Sequence, residues 1–338
     1  MIIAYPMVAT PRRHMPTNIQ KPNSFIIPIL LTRVKTRDHV LLDGIAVLPR
    51  RRSDTALIWI HGLASNFSRG QTLIKELSRQ CVKNSIAYFK FNTRGHDVVN
   101  RGAPDEKGLQ GAGFEKFEEC VADIRAMIAE TRRLGYRKII LAGHSTGANK
   151  VLYYLYKTKE RSVKGLVLLG PVNDIAAGQK KFGSAGLARG VALAEKLARK
   201  NPDALMPQSY DIFSAARFLS MFRHGTAEDT FPYLDPRAEW KELKSIRLPV
   251  AVIIGERDEY LDPVRSPVRM RTGTRLRRLT SNGVNRPAQK LIDIFRANAP
   301  LAKSFSGVII KGADHGFKNK EKELAKTIVY WITNAMNL

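Results

Sequence analysis

Short apolar, β-branched runs alternate along the chain with longer segments whose apolar residues recur every three or four positions. The runs at 25–35, 39–48, 55–60 (TALIWI), 86–91 (IAYFKF), 138–142 (KIILA), 164–169 (KGLVLL), 249–254 (PVAVII) and 305–310 (FSGVII) read as strands. The later runs are almost unbroken in apolar character, the pattern of strands covered on both faces of a parallel sheet. The first two are separated only by the charged stretch around Lys35–Asp38, so an antiparallel hairpin at one edge is expected. Over 114–134, Phe114, Phe117, Cys120, Val121, Ile124, Met127 and Ile128 make one helical stripe. Over 320–336, Leu324, Ile328, Trp331, Ile332 and Met336 make another. Strand–helix alternation of this kind predicts an α/β fold: a mostly parallel eight-stranded sheet flanked by helices.

One stretch breaks the rhythm. Gly170-Pro171 follows the strand at 164–169, and the next buried strand waits until about residue 249. Between them, 186–200 (Leu187, Val191, Ala194, Leu197) and 209–222, rich in Phe and Met, have helical patterns. Residues 171–236 are therefore expected to form an inserted helical cap on a core made of 23–170 and 237–338, with 1–22 a loosely held tail. A second excursion, from Asp262 to Ser304, carries Arg265, Arg269, Arg271, Arg275, Arg277 and Arg278.

Composition narrows the class. At 338 residues, 44% hydrophobic and 25% charged, the chain reads as a globular protein able to bury a large core. Apolar runs such as Phe25–Leu31 fall far short of the roughly 20 residues that cross a bilayer. The first residues place apolar positions before arginines, the reverse of a secretory signal. Cys81 and Cys120 each fall on the apolar face of a helical pattern, so two buried free thiols and a reducing, cytoplasmic location are expected. A net charge of +26 predicts nonspecific attraction to nucleic acid and anionic surfaces. No zinc-finger spacing, RNP-like strand or helix-turn-helix signature accompanies it. The pattern leaves oligomeric state open.

The candidate chemistry centres on Gly143-His144-Ser145-Thr146-Gly147. It follows the strand KIILA and precedes a helical pattern from Ala148 to Tyr156. Strand, sharp turn and helix are the setting of a nucleophile elbow, in which glycines two before and two after the serine avoid clashes. The helix N-terminus favours developing negative charge. Ser145 then needs a base and an orienting acid. Of seven histidines, His315 alone combines a late position with a loop after a final strand, VIIKGADHGF. PVAVIIGERDEYLD offers Asp258 as the acid, ahead of Glu256, Glu259 and Asp262; Asp174, after the preceding strand, is another candidate. The oxyanion hole is expected from the amides of Thr146 and of Leu63 in WIHGLASN, where Gly62 lets the backbone approach and His61 braces the loop. Phe213, Phe218, Met221 and Phe222 are candidates to line an apolar substrate pocket, or simply to pack the cap.

The ordered set HG (61–62), NTRGHD (92–97), GHSTG (143–147), GERD (255–258) and ADHGF (313–317) resembles the α/β-hydrolase superfamily over roughly residues 30–336. The order Ser145, Asp258, His315 is also that of this superfamily. Asp97 stands where the family usually has a glycine, which bears on loop shape only. GHSTG, the long insertion and FSAARFLSMF are similar to the branch that includes fungal siderophore esterases. The resemblance implies a serine hydrolase acting on a carboxylic ester or thioester of a small organic molecule through an acyl-enzyme, with no metal and no organic cofactor. Acyl transfer or carbon–carbon bond hydrolysis on the same triad, and a non-catalytic binding protein of this fold, are the alternatives.

Overall fold

The computed structural model describes residues 27–51, 53–101, 108–235, 237–261 and 287–337. The N-terminal tail, Arg52, Asp262 and the arginines of 265–278 lie outside the described residues.

Eight strands form one sheet: β1 (Leu30–Lys35), β2 (Leu41–Val47), β3 (Thr55–Ile60), β4 (Ala87–Phe91), β5 (Lys138–His144), β6 (Val163–Leu169), β7 (Val250–Gly255) and β8 (Phe305–Ile310). Their order is β1-β2-β4-β3-β5-β6-β7-β8. β1 and β2 pair antiparallel at one edge, β2 meets β4 antiparallel, and all later pairings are parallel. β3 and β7 are buried at every position, which is why they read as continuous apolar runs. β1 alternates exposed and buried, as an edge strand with one wet face does. β8 departs from the expectation of burial on both faces. Among the described residues it is the far edge, paired only with β7, and five of its six residues are only partly buried.

Helices cover both faces. On one face α1 (Gln71–Lys83) and α9 (Glu321–Met336) enclose Leu77, Cys81, Leu324, Ile328 and Trp331 against the sheet. On the other, α2 (Cys120–Arg133), α3 (Thr146–Thr158) and α8 (Pro287–Ala297) bring Ile124, Met127, Val151, Leu152, Leu291 and Phe295 inward. The stripe expected from 114 is shorter. Phe117–Glu119 forms a single tight turn before α2, and Phe114 lies in the loop ahead of it. Both cysteines are free and buried.

The segment between β6 and β7 has its own apolar cluster, built from Ile175, Leu187, Ala194, Met206, Phe213, Phe218, Met221 and Phe222. It holds α4 (Asp174–Phe182), α5 (Ser184–Ala198), α6 (Ala215–Phe222) and the short α7 (Lys241–Lys244). The sequence pattern did not mark α4, although its cap is explicit: the Asn173 side chain accepts from the Ala176 amide at 2.8 Å. The single helix expected over 209–222 is broken. Asp211 takes a left-handed φ of 65°, and Ser214 then caps α6 by accepting from the Arg217 amide. Because β3, β5, β6, β7 and β8 run parallel, the loops leaving their carboxyl ends gather along one edge of the sheet.

Candidate active site

At the end of β5 the chain reverses into α3 through Ser145, whose φ of 56° and ψ of −127° are strained for a residue with a side chain. Two neighbours make this turn possible. A Cβ on Gly143 would meet the Gly147 carbonyl oxygen at 2.2 Å, and a Cβ on Gly147 would meet the Ile60 carbonyl oxygen at 2.3 Å. The Ser145 amide donates to the Leu169 carbonyl at 2.9 Å, fixing the turn against β6. Thr146 is the first residue of α3, so its amide belongs to the helix turn that lacks intrahelical acceptors.

The loops after β7 and β8 bring Asp258 and His315 together. His315 Nδ1 lies 2.9 Å from Asp258 Oδ2, and both side chains are buried. Nδ1–H donates to the carboxylate, which leaves Nε2 as the basic atom. Nε2 is sealed from solvent and, among the described residues, has no hydrogen-bond partner, Ser145 Oγ included. Asp258 is held in turn by the Tyr260 amide, which donates to Oδ1 at 2.9 Å. Gly170, directly after the Leu169 carbonyl that holds Ser145, packs against this pair. A Cβ there would stand 3.1 Å from the imidazole and 3.3 Å from Asp258 Oδ2.

Two further contacts clamp the histidine loop. His144 Nε2–H donates to the His315 carbonyl at 2.8 Å, and the His315 amide donates to Glu259 Oε2 at 3.0 Å. Burial pulls the His144 pKa down to about 4, so the ring is neutral at pH 7 and one nitrogen carries the donated proton. Glu259 was weighed above as a weaker orienting acid; it holds the backbone of His315 instead. Asp174 and Glu256 are also placed apart from the imidazole's Nδ1. Glu256 accepts from the Gly312 amide, and Asp174 lines the neighbouring cavity.

His61 is buried after β3. Its Nε2 accepts from the Thr93 amide at 3.0 Å, which places the proton on Nδ1, and Nδ1–H donates to the Gly62 carbonyl at 2.8 Å. Burial pushes its pKa down to about 3. The peptide joining Gly62 to Leu63 is planar and trans, so fixing its carbonyl on His61 turns the Leu63 amide the opposite way. Gly62 itself lies against the serine, since a Cβ there would be 2.9 Å from Ser145 Cβ. The substituted position of the RGH turn is accommodated too. Asp97 adopts the left-handed φ of 57° that a glycine would favour, and its Oδ1 accepts from Asn66 at 2.8 Å. Arg94 of that turn is buried and pairs with Asp123, Asp38 and Glu119, a structural anchor.

A cavity of about 410 Å³ opens over Ser145, Thr146 and Leu63. Phe213, Met221 and Phe222 help line it, together with Val172, Phe182 and Tyr260. Phe218 does not. It is fully buried behind the wall, 4.7 Å from the Phe222 ring and 5.3 Å from the Tyr210 ring. Its position on the inner face of α6 makes it cap core. Among the described residues, no helix is long and apolar enough to cross a membrane.

Solved structures with the same fold are numerous. The structure of ferulic acid bound to Est1E from Butyrivibrio proteoclasticus shares 14% identity at a TM-score of 0.56, covering 91% of this chain and 100% of that one. The Pyrococcus furiosus esterase Pf2001 shares 16% at a TM-score of 0.55, covering 96% of this chain and 97% of that one. The Bacillus subtilis carboxylesterase CesB shares 17% at a TM-score of 0.50, covering 90% and 91%. No curated relative matches the chain. The fold is thus the α/β-hydrolase fold, and residues 110–337, from before α2 through α9, match the family model described as "Protein of unknown function (DUF1749)", so the chain belongs to that family.

Proposed function

We propose that the chain is a serine hydrolase that cleaves a carboxylic ester or thioester of a small organic substrate through an acyl-enzyme. One observation carries the reading. A buried imidazole, oriented by a carboxylate, keeps an unpaired Nε2 on a loop bonded to His144, the residue before a strained serine that lines a cavity. In the reaction, Ser145 Oγ attacks the ester carbonyl carbon while His315 Nε2 takes its proton. Asp258 holds the productive tautomer and stabilises the imidazolium. The Leu63 and Thr146 amides receive the oxyanion. Collapse breaks the bond to the leaving alcohol or thiol, which takes the proton from His315. Water, deprotonated by His315, then hydrolyses the acyl-enzyme and regenerates Ser145. That solved structures with this fold include an esterase and a carboxylesterase supports the reaction class, and the cavity of about 410 Å³ suits a small substrate. Residues 171–236 act as the cap over that cavity. Two buried free thiols support a cytoplasmic setting.

The test is intact-mass labelling with a fluorophosphonate beside hydrolysis of short p-nitrophenyl esters, for wild type and Ser145→Ala. Wild type gains one adduct and turns over ester; the alanine variant does neither. Labelling without turnover moves the assignment to acyl transfer or carbon–carbon hydrolysis. No adduct on wild type overturns the catalytic reading in favour of a binding protein.

A further inference from the structure

The cavity over Ser145 contains a carboxyl that ester cleavage does not use. Asp174, the first residue of α4, lines the same space as Ser145, Thr146 and Leu63. Asp174 as a whole is only partly buried, but its Oδ2 is sealed from solvent and, among the described residues, has no hydrogen-bond partner. Much of the wall beside it is apolar: Val172, Ala177, Phe213, Met221 and Phe222.

A buried charge cluster governs this carboxyl. Arg217, from α6, forks onto Glu228 and reaches Glu115 at 3.2 Å, while Lys150, from α3, reaches Glu115 at 2.6 Å. All four are buried. Two cations therefore face two carboxylates, and the cluster is balanced without Asp174. A third carboxylate would add an unpaired buried negative charge, which is costly. Burial first, then the nearby Glu228, push the Asp174 pKa well above the usual carboxylate range; Arg217 opposes this, and Asp229 and Glu115 add to it. Tyr233 and Tyr260 also face Asp174 and bring no positive charge. The two lysines of the cavity are engaged elsewhere: Lys181 pairs with Asp211, and Lys180 donates to the Glu259 carbonyl at 2.9 Å.

We propose that Asp174 determines substrate specificity, its carboxylic acid donating a hydrogen bond to a neutral oxygen acceptor on the ester's acyl part. The inference rests on the reading of Ser145 as the nucleophile of an ester hydrolase. An un-ionised carboxyl has an O–H to donate; an ionised one only accepts. A ligand with an ether, hydroxyl or amide oxygen at the right depth satisfies that donor. A ligand with a methylene there leaves a buried polar group unpaired, the strong form of discrimination.

The experiment compares kcat/KM for matched p-nitrophenyl esters in which one methylene is replaced by oxygen, beginning with 3-methoxypropanoate against pentanoate and walking the oxygen along longer chains. The readout is the ratio within each pair. Wild type favours the oxygen-bearing ester at one chain position by about 10-fold or more. Asp174→Asn, which keeps a donor of similar shape, retains the preference; Asp174→Leu loses it. In wild type the ratio falls as pH rises through the ionisation of Asp174, and in the Asn variant it stays flat. A ratio unchanged in the Leu variant, or absent at every chain position, overturns the proposal. So does a preference for p-nitrophenyl 4-(trimethylammonio)butanoate over 5,5-dimethylhexanoate, which would show a carboxylate recognising a cation. Loss of turnover on every ester is instead a failure of the hydrolase reading. The acid form is then read directly: at pH 7 the infrared carbonyl stretch of an un-ionised carboxylic acid is present in wild type and missing in Asp174→Asn. Its absence from wild type overturns the proposal whatever the esters do.

Discussion

His61 gives the sharpest link between this site and the stability of the protein. Its ring is neutral in the fold, since Nε2 must accept from Thr93 while Nδ1–H holds the Gly62 carbonyl. Its pKa is lowered to about 3 from 6.5, first by burial and then by the Lys150 charge. A depressed histidine pKa means that the unfolded chain binds the proton more readily than the fold. The stabilisation is complete above pH 6.5 and is lost as pH falls toward 3. The linkage relation with those two values puts the loss at about 2 kcal/mol by pH 5, relative to pH 7.5. His61→Gln removes the titration while keeping a side chain that can donate and accept. The assay is urea unfolding of both proteins at pH 7.5, 6.5, 5.5 and 5.0. The gap between wild type and variant should narrow by about 2 kcal/mol from the first pH to the last. His144 titrates in both proteins and cancels. Parallel curves, or a wild type that gains stability on acidification, would refute the neutral, buried assignment and the bracing of the Leu63 amide that follows from it.

Two other outcomes are expected from packing. Gly147→Ala forces a Cβ to 2.3 Å from the Ile60 carbonyl, and the obstacle is backbone of the central sheet, so the variant loses about 3 kcal/mol or more by chemical denaturation, or fails to fold. Arg217→Met strands Glu228 without its partner and costs about 3–5 kcal/mol, and adding Glu228→Gln recovers a substantial part of that loss in the same assay.

The strands were legible because a buried parallel strand advertises itself: TALIWI and VAVIIG are apolar at nearly every position and buried at all of them. The error at β8 has the same origin. FSGVII has the composition of a central strand, and only the sheet order makes it an edge. The helices between β6 and β7 were harder. Their boundaries depend on Asn173 as a cap and on a left-handed Asp211, single-residue events that a periodicity average washes out. The motifs located Ser145, Asp258 and His315, and the structure joins the last two by a direct hydrogen bond. What supports them was not legible. Glu259 bonding the His315 amide and His144 bonding its carbonyl are contacts between residues far apart in the chain, with no spacing to betray them. Phe218 failed as a pocket residue for a related reason, since composition cannot say which side of α6 faces the cavity.

The position of β8 has a consequence for how the molecule is made. The serine turn is held by Ile60, Gly143, Gly147 and Leu169, all contributed by the first half of the chain. Asp258 and His315 come from the last two strands, and β8 closes the sheet from the outside. A polypeptide emerging from its N-terminus can therefore shape the serine turn long before the imidazole exists beside it. On the reading of Ser145 as nucleophile, the nascent chain carries an unactivated hydroxyl, and reactivity switches on only when one edge strand adds to a sheet already formed.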